Sequence, residues 1–416
     1  MKNLVRRAFA FVLGAFILAA LAAQGLAQTG EFPLKEGDVV AMLGDSITAQ
    51  HLHSNYIEAY CIARFPKWNL QFRNAGVGGS TVPSGLGRFD YDVACWKPTV
   101  VTIELGMNDS RGPETVEPYM KGMETLIQRI KGMGTRPIFF TASPVNNGAT
   151  SDKLDPKNAV LDKMATEVAK LATAQGIPCG DQFHTLLDLW GRNMKGPNTI
   201  PLTGDGVHPG PTGQLTMAYA CLVGINAPAL VSKATIDAAG AKVAGAEKCA
   251  INDLKVEGDT ISFERADECL PMPIPADARP ALQLVPLSEK LNQYTLTITG
   301  LKGDKYDVSI DGAKVATVSA QDLANGWNMS ELAEGPVAAQ CQDILKLVAT
   351  KEAAVSAYRD VSKFMIPGWL GELLDGVKAK KQAELDRLMK DVVAASAKLT
   401  EAAQPKPHRF QIAPAK

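Results

Sequence analysis

Val39-Val40-Ala41-Met42-Leu43-Gly44-Asp45-Ser46-Ile47 is a short apolar run that ends abruptly in a glycine, a carboxylate and a hydroxyl. A run this short and this apolar predicts a strand from Val39 to Leu43 that is buried on both faces. Similar runs recur at Leu70 to Arg73, Val100 to Leu105, Pro137 to Ala142 and, more weakly, Ile177 to Asp181. Helical patterns separate them near residues 54–65, 114–133, 157–175 and 212–223. Parallel strands need crossover connections, so this alternation predicts a parallel sheet with helices on both faces. Ligand sites in such sheets lie beyond the carboxyl ends of the strands.

Four polar or glycine-rich segments fall at those ends or in a late loop. Gly44-Asp45-Ser46-Ile47 places a hydroxyl directly after the first strand. Asn74-Ala75-Gly76-Val77-Gly78-Gly79-Ser80-Thr81 follows the second, and its glycines let backbone amides approach a ligand. No Gly-Lys-Ser/Thr follows, and the loop is not on the first strand, which argues against phosphate and dinucleotide binding. Gly106-Met107-Asn108-Asp109 ends the third strand, where the Asn108 amide is a candidate donor to a developing oxyanion. In Asp205-Gly206-Val207-His208-Pro209, a three-residue spacing around a turn can bring the carboxylate to Nδ1 of the imidazole and leave Nε2 to accept a proton. Taken singly, each segment also reads as an ordinary turn.

Taken together, their order and placement resemble the four signature blocks of the SGNH, or GDSL, hydrolase superfamily over about residues 36–228. The resemblance implies a flavodoxin-like three-layer sandwich with a five-stranded parallel sheet. It also implies a serine esterase with Ser46 as nucleophile, His208 as general base and Asp205 as its orienting acid. The Ser46 amide, the Gly79 amide and the Asn108 side chain would form the oxyanion hole. Two departures stand out: Ile47 occupies a position that is often Leu, and Ser80 one that is often Asp.

The 43 basic and 44 acidic residues give a net charge of −1 and are scattered, which leaves no electrostatic footprint for nucleic acid. Lys2, Arg6 and Arg7, the apolar run from Ala8 to Ala23 and the small residues before Gln28 predict an export signal over 1–27 and a secreted or periplasmic protein. No later segment is apolar and long enough to span a bilayer. The hydrolase domain is expected over 28–235, a β-rich accessory region over 236–332, an antiparallel helical hairpin over 333–404 and an extended or disordered tail over 405–416. Asp311-Gly312 marks a hairpin turn in the β-rich region, and Pro367-Gly368 separates the two helical stripes.

Among the seven cysteines, Cys249 and Cys269 flank a strand-like stretch and are candidates for a disulfide in an oxidising compartment. No cysteine pair has zinc-site spacing, and His51 and His53 lack nearby carboxylate or thiolate partners, so no metal or organic cofactor is expected. Both histidines read as loop or helix-start residues, and His184 as structural. The cluster Phe364, Met365, Ile366, Trp369, Leu370 is expected to pack on the domain. The expected activity is hydrolysis of a short acyl ester of a carbohydrate. The alternatives are a lipid, lysophospholipid or thioester hydrolase, and a non-catalytic carbohydrate-binding or surface-interaction protein.

Overall fold

The computed structural model describes residues 30–366 and 374–415. The expected export signal and the hairpin turn at Pro367-Gly368, with Trp369 and Leu370, lie outside the described residues.

The first half alternates as expected: β1 (Val39–Gly44), α1 (Ser46–Ala49), α2 (His53–Arg64), β2 (Gln71–Gly76), α3 (Val82–Asp92), β3 (Val100–Glu104), α4 (Val116–Gly132), β4 (Arg136–Phe140), α5 (Pro156–Gln175), β5 (Cys179–Gly180), α6 (Gln182–Lys195) and α7 (Pro211–Gly224). The strands form one five-stranded sheet in the order β2-β1-β3-β4-β5, and every pairing is parallel. Period-2 geometry sends Ala41 and Leu43 of β1 to one face, against Val82 and Phe89 of α3 and Leu126 of α4. Val40 and Met42 face the other way, toward Tyr60 of α2, Phe183 of α6 and Leu215 of α7. This is the three-layer sandwich. Helices α3 and α6 were absent from the sequence expectation, because Val82–Asp92 contains a proline and two glycines and Gln182–Lys195 begins in polar residues.

The second half is more elaborate than one antiparallel unit. Strands β6 (Leu230–Asp237), β7 (Lys242–Glu247), β8 (Cys249–Glu257), β9 (Thr260–Asp267), β10 (Gln293–Thr299), β11 (Lys305–Ile310), β12 (Ala313–Ser319) and β13 (Trp327–Asn328) lead into α8 (Pro336–Ser362) and α9 (Asp375–Ala402), and β14 (His408–Pro414) ends the described chain. They build two sheets, ordered β13-β10-β6-β7 and β12-β11-β14-β9-β8. Strand β6 straddles the boundary expected at 235, and its pairing with β10 is parallel.

The tail expected to be extended or disordered is the central strand of the second sheet. His408, Phe410 and Ile412 point inward while Arg409 and Gln411 point out, and Phe410 stacks on Phe263 at 5.2 Å between ring centroids. The seven cysteines are all free thiols: Cys249 and Cys269 bond to the carbonyls of Lys233 and Val231 and form no disulfide. Phe364 and Met365 do not pack on the domain but stand exposed at 61% and 66%.

Candidate active site

Ser46 sits at the first position of α1, two residues past the end of β1, with Asp45 between them. The turn is sharp enough that a β-carbon on Gly44 would lie 1.9 Å from Thr48 Oγ1, which requires glycine there. Asp45 caps the helix by accepting the Ile47 N–H at 2.9 Å. Burial, and then the charge of Glu104, push the Asp45 carboxyl up to about 7.

The other blocks converge on this turn. His208 Nε2 lies 2.9 Å from Ser46 Oγ, and His208 Nδ1 lies 2.7 Å from Asp205 Oδ2. The other Asp205 oxygen accepts the N–H groups of Val207 and His208 at 2.9 and 2.8 Å. Those backbone bonds, led by the one from His208, hold the Asp205 carboxyl well below the usual carboxylate range. A carboxylate only accepts, so Nδ1 carries the proton of the neutral ring and Nε2 presents a lone pair to the serine hydroxyl. Gln50, just after α1, and Gln214, on α7, both donate to Pro209 O, which ties the Ser46 turn to the histidine loop.

Asn74 fixes the second block: its amide donates to Thr48 O at 2.7 Å and Ser54 Oγ at 2.9 Å, and its carbonyl accepts from Gly76 N at 2.8 Å. Gly79 has φ +71° with open space where a β-carbon would stand. Asn108 Nδ2 donates to Ser80 O at 3.1 Å and reaches Asp45 Oδ2 only at 3.4 Å, which leaves one hydrogen weakly engaged. The neighbouring Asp109 instead accepts the Val82 N–H at the start of α3, a scaffold role. Ser80, where the superfamily often has Asp, is buried and its hydroxyl accepts from Arg88 Nε at 3.3 Å.

His51, His53 and His184 lie outside the Ser46–His208–Asp205 set. His184 bonds Asp181 and Asp162 at 2.6 and 3.1 Å, which fits a structural residue. His53 is more than a helix-start residue. It is fully buried, with Nε2 2.6 Å from Glu104 Oε2 and Nδ1 2.9 Å from Gln214 Oε1. Burial opposes the charged ring, but the adjoining Glu104 carboxylate outweighs it and raises the His53 pKa. Glu104 also accepts from Gln182 Nε2 at 2.9 Å. This polar chain beneath the Ser46 turn is not legible in the sequence. Its one available signal was a glutamate inside the most apolar strand.

A strand-to-helix serine in line with an imidazole and a carboxylate, at the carboxyl edge of a parallel sheet, defines a class of ester hydrolase. Residues 42–215 match the GDSL-like Lipase/Acylhydrolase family, and this domain is an SGNH/GDSL hydrolase domain of the carboxylic ester hydrolase class. The chain is 23% identical over 210 residues to an acetylxylan esterase of Geobacillus stearothermophilus, covering 45% of this chain and 93% of that protein. A solved structure of a gut microbial diltiazem-metabolizing enzyme is similar over nearly the whole molecule. It shows 25% identity and a TM-score of 0.80, covering 94% of this chain and 100% of that one. A crystal structure of the Geobacillus acetylxylan esterase covers 47% of this chain and 96% of its own, at 22% identity and a TM-score of 0.41.

Proposed function

We propose that the protein is a secreted serine esterase that removes short acyl groups, acetyl above all, from a carbohydrate alcohol. The observation that carries the chemistry is the alignment Ser46 Oγ, His208 Nε2, Asp205 Oδ2, with contacts of 2.9 and 2.7 Å. His208 Nε2 takes the hydroxyl proton as Ser46 Oγ attacks the ester carbonyl. The resulting oxyanion is met by the Ser46 and Gly79 amides and by the weakly engaged hydrogen of Asn108 Nδ2. The alcohol leaves with the proton held on His208. Water, deprotonated by the same ring, then hydrolyses the acyl-Ser46 ester and restores the hydroxyl.

Two observations support the choice of substrate. The polar segment from Ser143 to Lys157 runs beside the histidine loop, with Asn146 N bonded to Gly206 O at 2.8 Å and Asn147 exposed. Amide side chains there suit sugar hydroxyls and offer little surface to a long acyl chain, whose binding draws on ~0.8 kcal/mol per buried methylene. The acetylxylan esterase relative favours the same reading. The whole-chain likeness to the diltiazem-metabolizing enzyme favours a second one, a small-molecule ester.

The experiment combines variants with a substrate panel. Ser46→Ala and His208→Ala should each abolish turnover without unfolding the protein, while His184→Ala should leave it nearly intact. Appreciable turnover by pure Ser46→Ala protein rejects the nucleophile, and equal losses at both histidines reject the base. The panel runs p-nitrophenyl esters from acetate to decanoate beside acetylated xylan and diltiazem. Specificity that climbs through the long chains, with no glycan deacetylated, replaces the carbohydrate reading with a lipid one.

A further inference from the structure

Among the described residues, strand β2 is an edge strand that pairs with β1 alone. Gln71 N–H and Val77 N–H bond toward β1, to Asp38 O and Gly44 O, so the backbone groups of Phe72, Asn74 and Gly76 face away from the sheet. Such an edge ordinarily leaves unpaired carbonyls and amides. Here three side chains of α8 satisfy it in succession. Lys351 Nζ donates to Phe72 O at 2.9 Å, Glu352 Oε2 accepts the Asn74 N–H at 3.3 Å, and Arg359 Nη2 donates to Gly76 O at 3.1 Å. The helix stands in for a sixth strand, using charged side chains in place of a backbone ladder.

The contact at Gly76 matters most, because the glycine-rich loop leaves the strand there. Arg359 grips Asp92, the last residue of α3, through two bonds of 2.5 and 2.9 Å. Asp92 also pairs with Arg88, whose guanidinium donates to Ala75 O at 2.6 Å and Gly44 O at 2.8 Å. Two guanidiniums sharing one buried carboxylate thus hold the carbonyls of Gly44, Ala75 and Gly76. These are the points from which the nucleophile turn and the glycine-rich loop depart.

We infer that Arg359, on a helix outside the hydrolase domain, is a positioning residue for ester hydrolysis: by holding Gly76 O and Asp92 it sets where the Gly79 N–H points. The inference rests on the proposed role of Gly79 as an oxyanion donor. A residue that merely anchors α8 would affect stability and leave turnover per folded site unchanged. A positioning residue alters the transition state, since a misplacement of about 1 Å costs up to ~10²-fold in rate.

The test uses the full chain, with active sites counted by fluorophosphonate labelling carried to completion. Arg359→Ala should lower kcat per labelled site on p-nitrophenyl acetate by about 10- to 100-fold and leave KM within about twofold. Guanidinium at millimolar concentration should recover part of the loss, because a solvent-open cleft lined by Val77, Tyr91, Arg359 and Lys363 gives it access. Arg359→Lys should fall between the two. A kcat per site within about twofold of the parent, with only the melting temperature lowered, overturns the inference. If Arg359→Ala does not fold, Arg359→Lys decides by the same criterion. Persistent turnover by Ser46→Ala would instead strike the proposed function, so the two failures are distinguishable.

Discussion

A β-carbon placed on Gly76 lies 2.4 Å from Ala49 N, 2.7 Å from Thr48 C and 2.9 Å from Ala49 Cα. All three atoms are backbone, so no rotamer change relieves the contact. Carbon atoms sit comfortably at about 3.5 Å, and Gly76→Ala therefore has to part β2 and α1 by about 1 Å. Overpacking of this kind costs about 1–3 kcal/mol. Helix α1 begins at Ser46, so its retreat also stretches the 2.9 Å contact between Ser46 Oγ and His208 Nε2 toward the limit of a hydrogen bond. We expect kcat on p-nitrophenyl acetate to fall by about 10- to 100-fold. Urea unfolding at equilibrium measures the first effect and steady-state kinetics the second. Gly78→Ala is the control, since nothing lies within 4 Å of a β-carbon there. Unchanged stability and unchanged kcat in Gly76→Ala would refute the backbone-to-backbone packing of β2 on α1. Lost stability with full kcat would mean that the strain relaxes into β2 and spares Ser46.

Asn108→Ala should lower kcat by about 10²–10³ with little change in KM, and a pure KM effect in steady-state kinetics would assign Asn108 to substrate positioning. The Asp45 carboxyl, raised from 3.8 to about 7, makes the folded state hold a proton that the unfolded chain releases, so its contribution to stability declines as pH rises through that window and levels off above it. Urea midpoints at pH 5 and pH 8 should therefore converge in Asp45→Asn relative to the parent, which carries a slope of up to ~1.4 kcal/mol per pH unit from this group; identical pH slopes in the two proteins exclude it. Phe410→Ala removes a fully buried ring stacked on Phe263 and should destabilise the protein by about 3–5 kcal/mol, whereas a melting temperature equal to the parent's would show that the chain end does not build the sheet.

The parallel sheet and the four strand-end segments were legible because their signals are local. Apolar runs of strand length, a glycine at a turn too tight for a β-carbon and an Asp-x-x-His spacing each act over a few residues. Asp205 and His208 lie three positions apart, and their 2.7 Å contact needs only the loop between them. The helical hairpin was legible for the same reason: its 3.6-residue stripes are written within each helix.

What lay beyond the sequence shares one property, dependence on partners far away along the chain. The alternation at His408 to Ile412 is too short to declare a strand beside Pro405 and Pro407, and β14 is fixed as a strand by its antiparallel pairing with β9 on one side and β11 on the other. His53 became a buried ion-pair partner only when β3 brought Glu104 to 2.6 Å. Lys351, Glu352 and Arg359 look in sequence like the polar face of an amphipathic helix. They are drawn inward because β2 offers them backbone groups that no other described strand pairs. Local patterns thus specified most of the segments that become strands and helices, the strand-end positions of Ser46 and Asn108, and the late-loop positions of Asp205 and His208. The closed fold decided which buried polar groups meet, because an unpaired group out of water is costly and only the assembled chain supplies its partner.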